Sequence, residues 1–236
     1  MSPDKDLAPL EQDIGYTFQN KDLLRQALVH RSYLNEHPGF RLDHNERLEF
    51  LGDAVLELAV TDHVYHHYEL PEGELTNLRA AIVRGEMLAR VAQELRLENF
   101  LLLSRGERKG SEKARHYILA NAFEAVVGAL YLDGGYGAAD GLVKKRIISK
   151  LHEVIEQGLH IDSKSRFQEL AQERFRITPM YTVLHQSGLD HAKHFVIGAF
   201  LGDKKVGDGE GTSKQEAQQN AARAALKKLE EMEEQR

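Results

Sequence analysis

The sequence has no cysteine, few prolines and no long apolar run. Without cysteine the chain cannot form a disulfide-stabilised scaffold, and a reducing, cytoplasmic location is expected. Residues 1–11 contain charged residues and two prolines in place of an apolar core, which is unlike a secretory signal. The longest apolar stretch, residues 125–132, is far shorter than the roughly 20 residues that a membrane-spanning helix needs. We therefore expect no membrane partner.

Charge is distributed unevenly along the chain, whose formal net charge is -6. Residues 1–159 carry a net charge of -6, residues 160–230 carry +2, and the tail 231–236 carries -2. A mildly basic C-terminal part beside an acidic N-terminal part suits a phosphate-binding module joined to a metal-binding module. Random scatter of surface charge explains this feature equally well when it is taken alone.

The length of 236 residues favours two domains. In residues 22–35 and 43–150, apolar residues recur at helical spacing between short turns, which predicts an all-helical first domain. The polar stretch 104–111 has no core pattern and predicts a loop. The later helices of this region are expected at residues 77–84, 87–95, 114–132 and 137–157.

The C-terminal part has a different pattern, which predicts helix, three strands and helix. Ser163 begins the first helix, Pro179 ends it, and Ser213 starts the last helix with a capping box. Alternating apolar residues predict strands at 181–185, at 194–201 and around residue 206.

The predicted fold class is therefore multidomain, with an all-α domain followed by a small α+β domain of order α-β-β-β-α. The expected domains are residues 1–157 and 163–230. Residues 158–162 are the expected linker, and residues 231–236 form an acidic tail.

One predicted helix combines an apolar stripe with a row of acids. Asp43 is expected to cap this helix, with Glu46 as its capping-box partner. Glu49 and Asp53 lie within roughly 60° of Glu46 around the helix, on the side away from the apolar stripe. That stripe is expected to be buried and consists of Leu48, Leu51, Val55 and Leu58.

These acids predict a metal site. Like charges at the spacing of Glu46, Glu49 and Asp53 repel each other, so a compensating charge is expected. Asn121 and Glu124 form a second pair on an otherwise apolar helix, where an unpaired acid would be costly. Magnesium prefers carboxylate oxygens and would neutralise both groups. The alternative is a solvated acidic face.

A second metal site is not expected. His63 and His67 lie one helical turn apart, a spacing that suits two zinc ligands. They lack the HisGluXxxXxxHis pattern and a third ligand, so we expect no zinc there.

Four segments carry a family signature. They read HisArgSerTyr at 30–33, GluArgLeuGluPheLeuGlyAspAla at 46–54, ProGluGlyGluLeuThrAsnLeuArg at 71–79 and IleLeuAlaAsnAlaPheGluAla at 118–125. In these motifs and their order the chain resembles bacterial ribonuclease III. The resemblance implies a metal-dependent endoribonuclease that cuts double-stranded RNA, leaves 5′-phosphate and 3′-hydroxyl ends, and acts on precursors of ribosomal RNA and other structured transcripts. It implies no organic cofactor.

The resemblance also implies which residues line the catalytic site. Asp53 and Glu124 are the expected direct magnesium ligands, and manganese is expected to substitute. Glu49 lies beside them, and Glu46 is expected to place a water or the RNA. Position 121 is often Asp in the family, whereas Asn121 removes a charge but keeps an oxygen able to bind metal.

Two further residues enter through the resemblance. Glu72 matches another acid of the family, although its expected position is a loop. Phe50 lies next to the acids, where a large exposed ring would be unfavourable. The resemblance implies a homodimer in which this ring fills a hollow in the partner, so that two sites cut the two strands and leave short 3′ overhangs. Packing of Phe50 within its own subunit is the alternative.

The C-terminal segment resembles a double-stranded-RNA-binding domain through GlyLeuAspHis at 188–191 and GlyThrSerLys at 211–214. Such domains read the shape of the duplex across two minor grooves. The expected RNA contacts are Gln168, Gln172, His191, Lys193 and Lys214.

Two other functions stay open at this point. The first is a protein that binds double-stranded RNA without cutting it, which Asn121 would favour. The second is a dimeric scaffold for RNA processing, with the acidic tail as its only support.

Overall fold

The computed structural model describes residues 5–188 and 193–234, with side chains up to residue 229. The chain divides into two compact units, Met1–His160 and Ile161–Arg236. The first is helical and the second combines two helices with a three-stranded sheet, so the predicted fold class is confirmed. Within the described residues no helix is long and apolar enough to cross a membrane.

The first unit contains eight α-helices in its described part, with three short 3₁₀ turns at Leu97–Asn99, Glu107–Lys109 and Ile148–Lys150. The helices are α1 Ala8–Ile14, α2 Lys21–Ala27, α3 Arg31–Glu36, α4 Glu46–His67, α5 Glu72–Ile82, α6 Gly85–Glu94, α7 Glu112–Arg146 and α8 Leu151–Glu156.

Helices α4 and α7 make the most extensive contact in the first unit. Their apolar side chains, such as Leu56 and Val60 on α4 and Phe123 on α7, are fully buried in its core. Gly135 has φ 73° and interrupts the helical backbone of α7, which explains why the sequence predicts two helices here. The apolar core lies behind the acidic residues and excludes water from one side of them.

Two predictions about α4 are wrong, one for its N-cap and one for its buried stripe. The N-cap is Asn45, which is buried and donates from Nδ2 to the carbonyl of Ala27 at 3.2 Å. Asp43 instead accepts the backbone N–H of His44 at 2.8 Å. Leu58 is 56% exposed and does not belong to the buried stripe.

The predicted helix 22–35 is two helices, α2 and α3. The chain leaves the helical path because Val29 pairs with Leu102 in an isolated parallel bridge. The backbone N–H of His30 donates to the carbonyl of Leu102 at 3.1 Å, and the N–H of Leu102 donates to Leu28 at 2.9 Å. This contact anchors the polar segment before α7 beside the start of α3.

Two other helices differ from the predictions. Helix α1 is not among the predicted helices, and it buries Leu10 and Ile14. Helix α5 begins at Glu72, five residues before the predicted start at 77. Glu72 therefore lies in the first turn of a helix and not in a loop.

The second unit has the predicted order of elements. They are α9 Ser163–Phe175, β1 Met180–Ser187, β2 His194–Leu201, β3 Lys204–Gly211 and α10 Lys214–Glu234.

The strands form one antiparallel sheet in the order β1-β2-β3, and α9 and α10 contribute to a core with the sheet. Gly209 permits the close approach of α10, since a Cβ atom there would lie 2.2 Å from the backbone nitrogen of Ala221. Ser213 accepts the N–H of Glu216 at 3.1 Å, and the Glu216 carboxylate accepts the N–H of Thr212 at 2.7 Å. This capping fixes the start of α10, where Lys214 is the first residue.

Candidate active site and RNA-binding residues

Helices α4 and α7 cross with their backbones in contact at two glycines. A Cβ atom on Gly52 would lie 1.8 Å from the carbonyl oxygen of Glu124, and one on Gly128 would lie 2.2 Å from the carbonyl oxygen of Leu48. No other residue type fits such a crossing without moving the helices. The close approach brings the acids of α4 next to Asn121 and Glu124 on α7.

The carboxylates at this crossing interact with one another. Burial, followed by the charges of Asp53 and Glu49, raises the pKa of Glu124 from 4.5 to about 7. Burial and the charge of Glu46 also raise the pKa of Glu49, whereas a side-chain hydrogen bond with Asn121 opposes that rise. Three acids and one amide from two helices therefore share one site.

Neutralising cations are missing from the centre of this site. Among the described residues, no Lys or Arg forms an ion pair with Glu49, Asp53 or Glu124. Glu46 lies at the edge, with Oε1 3.4 Å from Nη1 of Arg31. The uncompensated negative charge is the electrostatic condition in which a bound cation is favourable.

The donor set fits magnesium better than zinc. Among the side chains of residues 5–188 and 193–229, no three of His, Asp or Glu are arranged so that they alone could hold a metal ion. Magnesium does not need such a cage, because it keeps several waters and binds through one or two carboxylates and substrate phosphate. Asn121 adds an amide oxygen, which is a hard ligand of the same kind.

A polar cavity of about 330 Å³ adjoins the acids. Glu46, Glu49 and Asn121 form the wall nearest to the other carboxylates, and His30 and Arg31 form another part of the lining. Burial lowers the pKa of His30, although the charges of Glu107 and Glu46 act in the opposite direction. Burial therefore favours the neutral imidazole.

Glu72 lines a different cavity, of about 270 Å³, between α4 and α5. Its Oε1 accepts a long hydrogen bond from Thr76 at 3.4 Å. The structure thus does not group Glu72 with the acids at the α4–α7 crossing. The other side chains of this cavity include Thr61, Val64, Tyr65, Leu75 and Arg79.

Phe50 points into solvent and is 83% exposed. Leu58 and Tyr65 are also exposed and lie on the same face of α4. Packing of Phe50 inside its own subunit, the alternative considered from the sequence, is therefore wrong. The three side chains form an apolar strip, which is uncommon on the surface of a monomer.

The second unit presents most of its predicted RNA contacts on the surface. Gln168 and Gln172 are exposed one turn apart on α9 and line a shallow depression. Lys214 is exposed in the first turn of α10, with Nζ 5.9 Å from the centre of the Phe195 ring. Lys193 is partly buried just before β2. His191 and most of the motif 188–191 lie outside the described residues.

The sequence reasoning missed two groups of residues at the site. It assigned no role to Gly52 and Gly128, although a glycine on each of two apolar helices is a signal of close packing. It quoted the motif HisArgSerTyr but assigned no role to His30, whose side chain lines the site cavity.

The chain is similar to a known family in both units. A family model described as Ribonuclease-III-like matches residues 20–151. A second model, the double-stranded RNA binding motif, matches residues 163–229. The matches cover the two compact units separately and leave only short segments unassigned.

Individual relatives are similar over nearly their whole length. Ribonuclease 3 from Protochlamydia amoebophila is 42% identical over 222 residues, which are 94% of this chain and 91% of that protein. Ribonuclease 3 from Oceanobacillus iheyensis is 44% identical over 222 residues, which are 94% of this chain and 97% of that protein.

A solved structure shares the fold of the first unit. It is the nuclease domain of ribonuclease III from Campylobacter jejuni, described for structural flexibility in its region involved in dimer formation. It has a TM-score of 0.54 and 38% sequence identity, and the match covers 61% of this chain and 99% of that chain.

Proposed function

Since the chain belongs to the ribonuclease III family and is therefore an endoribonuclease that cleaves double-stranded RNA, we propose that the acids at the α4–α7 crossing hold its catalytic metal ion. The observation that carries this proposal is the contact of α4 and α7 at Gly52 and Gly128, which places the acids of α4 beside Glu124. Burial and the charges of Asp53 and Glu49 raise the pKa of Glu124 to about 7. A divalent cation at this place would bind the ionised carboxylates and remove their repulsion.

The chain's own residues have distinct roles in this site. Asp53 and Glu124 would bind Mg²⁺ or Mn²⁺ directly, with Glu49 beside them. When bound, the ion supplies positive charge for the phosphate oxygens and lowers the pKa of its water. Asn121 lies beside Glu49 and favours its ionised form, and its amide oxygen can serve as a further ligand.

Glu46 stands at the edge of the site, towards the cavity, where its carboxylate can contact the RNA or a water molecule. Hydrolysis in this arrangement leaves a 5′-phosphate and a 3′-hydroxyl. Glu72 is too weakly linked to these residues to receive a role in the metal site, since it lines the other cavity.

The second unit binds double-stranded RNA. We assign the minor-groove contacts to Gln168 and Gln172, whose amides can reach 2′-hydroxyls and base edges. Lys214 and Lys193 would contact phosphates. His191, beyond the described residues, keeps its predicted role in the adjacent minor groove.

The exposed strip on α4 supports a homodimer. Two copies of α4 can pack antiparallel about a two-fold axis near Leu58. Phe50 lies eight positions before Leu58, and Tyr65 lies seven positions after it. Phe50 of one copy therefore comes level with Tyr65 of the other. Tyr65 borders the cavity of about 270 Å³. We assign that cavity in the second copy as the hollow that receives the Phe50 ring. Two such sites would cut both strands and leave short 3′ overhangs.

The cellular role follows from the family and not from the geometry. We propose processing of ribosomal RNA precursors and other structured transcripts, in the cytoplasm. The site cavity and the two glycines at the α4–α7 crossing support the proposed cleavage reaction and not the cellular role.

Digestion of long duplex RNA tests the catalytic proposal. With Mg²⁺ the wild-type chain should give short duplexes with 5′-phosphates, and EDTA should stop the reaction. Glu124→Gln should lower the rate by roughly a hundredfold or more while retaining RNA binding. The matched control is Glu112→Gln, an exposed residue on the same helix, which should cut at the wild-type rate.

Each outcome separates the alternatives. Full activity of Glu124→Gln would contradict the metal-site assignment. Cutting in EDTA would contradict metal dependence. A wild-type chain that binds duplex RNA and never cuts it would be a binding protein, the alternative that Asn121 favours.

A further inference from the structure

The imidazole of His30 is held in one tautomer by a chain of hydrogen bonds. The backbone N–H of Ser104 donates to Oγ of Ser32 at 3.2 Å, so the Ser32 hydroxyl can donate its own proton to Nδ1 of His30, 2.7 Å away. The backbone N–H of Ser32 also donates to Nδ1, at 3.3 Å. Because two donors point at Nδ1, this nitrogen is the acceptor and the ring proton is on Nε2.

The N–H at Nε2 is available in the site cavity. His30 lines this cavity and, among the described residues, Nε2 has no hydrogen-bond partner. The same cavity is lined by the carboxylates of Glu46 and Glu49. It therefore offers a fixed neutral donor and anionic acceptors within one space next to the proposed metal ligands.

The charge of the cavity argues against a phosphate as its occupant. Two carboxylates line it, and the one Arg in its lining, Arg31, is paired with Glu46 at 3.4 Å. A second phosphate would meet net negative charge there. A hydroxyl group suits the lining better, because it accepts one hydrogen bond and donates another.

We propose that His30 is a specificity-determining residue that donates from Nε2 to the ribose 2′-hydroxyl of a nucleotide next to the scissile phosphate, while Glu46 accepts the proton of that hydroxyl. The inference rests on the proposed function, since the RNA must lie across the acids of α4. The 2′-hydroxyl is the group that distinguishes RNA from DNA. His30 thus contributes to the preference for RNA at the cleavage site itself.

Single 2′-deoxy substitutions test this contact. A series of duplexes carries one 2′-deoxy nucleotide at each position near the scissile phosphate, and kcat/KM is compared with that of the all-RNA duplex. In the wild-type chain one position should show a loss of roughly tenfold, the size expected for two modest hydrogen bonds in a partly buried site. In His30→Asn that loss should shrink to about threefold, because the donor is gone while Glu46 still accepts.

Two variants of His30 distinguish a loss of the Nε2 contact with RNA from a loss of folded-state stability. His30→Asn keeps an oxygen near the place of Nδ1, so it can still accept from the Ser32 N–H, but it lacks the donor at Nε2. His30→Gln keeps an N–H near Nε2 and loses the acceptor. His30→Gln should therefore unfold at a lower temperature and retain the position-specific loss, whereas His30→Asn should remain stable and show the smaller loss.

Equal 2′-deoxy effects in wild type and His30→Asn at every position would overturn the inference and leave the cleavage of duplex RNA untouched. Failure of the wild-type chain to cut the all-RNA duplex would instead contradict the proposed function. Binding of the same duplexes is therefore also measured in Ca²⁺, without cleavage. At one 2′-deoxy position the loss of binding affinity should be larger in the wild-type chain than in His30→Asn. No difference there would likewise overturn the inference.

Discussion

The side-chain amide of Asn121 on α7 interacts with the carboxylate of Glu49 on α4 and opposes the rise of its pKa. This contact lies at the site where the charges of Asp53 and Glu49 raise the pKa of Glu124 to about 7. An amide at position 121 therefore favours the ionised Glu49 without adding a further negative charge. This relationship determines what a single substitution at position 121 should do.

Asn121→Asp should tighten metal binding. A fourth carboxylate increases the negative charge that a cation relieves, so the affinity for Mn²⁺ should rise roughly tenfold. Without metal the same charge should lower the melting temperature. Titration of Mn²⁺ followed by electron paramagnetic resonance measures the first effect, and thermal unfolding in EDTA measures the second.

The control at this position is Asn121→Ala, which removes the amide beside Glu49 and adds no charge. It should bind Mn²⁺ more weakly than the wild-type chain. If Asn121→Asp bound the ion no better than Asn121→Ala, position 121 would not face the metal.

Stability without metal should fall as the pH rises from about 4.5 to 7. Glu124 has a raised pKa in the folded state, so in this range it keeps a proton that the unfolded chain has released. The folded state then binds more protons, and the free energy of unfolding decreases with pH, by on the order of 2 kcal/mol. Thermal or urea unfolding in EDTA at several pH values measures this change.

Glu124→Gln should remove most of that pH dependence, whereas Glu112→Gln should keep it. Saturating Mg²⁺ should reverse the trend above pH 5, because the metal binds the ionised carboxylate. Identical pH profiles for wild type and Glu124→Gln would assign the titration to other groups.

Gly52→Ala should disrupt the crossing of α4 and α7. The added methyl group would lie 1.8 Å from the carbonyl oxygen of Glu124, so the helices must separate and take the acids with them. We expect a loss of about 3 kcal/mol of stability and of most of the cleavage activity. Urea unfolding and the digestion of duplex RNA measure the two effects.

Gly141→Ala is the matched control on α7. A Cβ atom there meets nothing within 4 Å, and the residue lies in the helix, so the substitution should be neutral or stabilise by about 0.5 kcal/mol. A stable and active Gly52→Ala would mean that the two helices tolerate a wider separation than the structure has.

Local periodicity predicted the parts of this molecule that depend on short stretches of sequence. The acids of α4 share one face because their spacing is helical, and the strand 194–201 matches β2 residue for residue. The capping box of Ser213 was also predictable, because its partners are three residues apart. The roles of the site residues, in contrast, stay predictions until they are tested.

Features that depend on distant contacts could not be predicted. The fixed tautomer of His30 requires Ser104, which is 72 residues from Ser32 in the chain. The break between α2 and α3 depends on the bridge of Val29 to Leu102. Leu58 fits the apolar pattern of α4 but is exposed, since periodicity does not distinguish a buried side chain from an apolar side chain on the surface.

Phe50→Ala should weaken the homodimer. The ring is 83% exposed in the single chain. Its removal should therefore leave the stability of the folded monomer nearly unchanged and should strongly weaken the association of two copies. We expect the dissociation constant to rise roughly a hundredfold, with an unchanged melting temperature for the monomer. Sedimentation velocity over a range of concentrations measures the shift. Phe175→Ala, another exposed ring, is the control, and a dimer unaffected by Phe50→Ala would exclude the assigned interface.

Salt dependence should separate the RNA contacts of the second unit into two kinds. Lys214 is exposed at the start of α10, where it can join the free backbone N–H groups in binding a phosphate. Each phosphate contact releases counterions, so Lys214→Ala should weaken RNA binding and reduce the slope of log affinity against log salt by about one. Gln168→Ala and Gln172→Ala remove uncharged contacts and should weaken binding without a change of slope.

Fluorescence anisotropy of a labelled duplex between about 50 and 200 mM salt is sufficient for this comparison. Lys228→Ala removes the same charge further along α10 from an exposed position, and it should alter neither affinity nor slope. The two lysines have equal charge. A difference in RNA affinity or salt slope between Lys214→Ala and Lys228→Ala therefore reports where the RNA contacts the domain and not the domain's net charge. Equal slopes for Lys214→Ala, Lys228→Ala and the wild-type chain would remove the start of α10 from the RNA-binding surface.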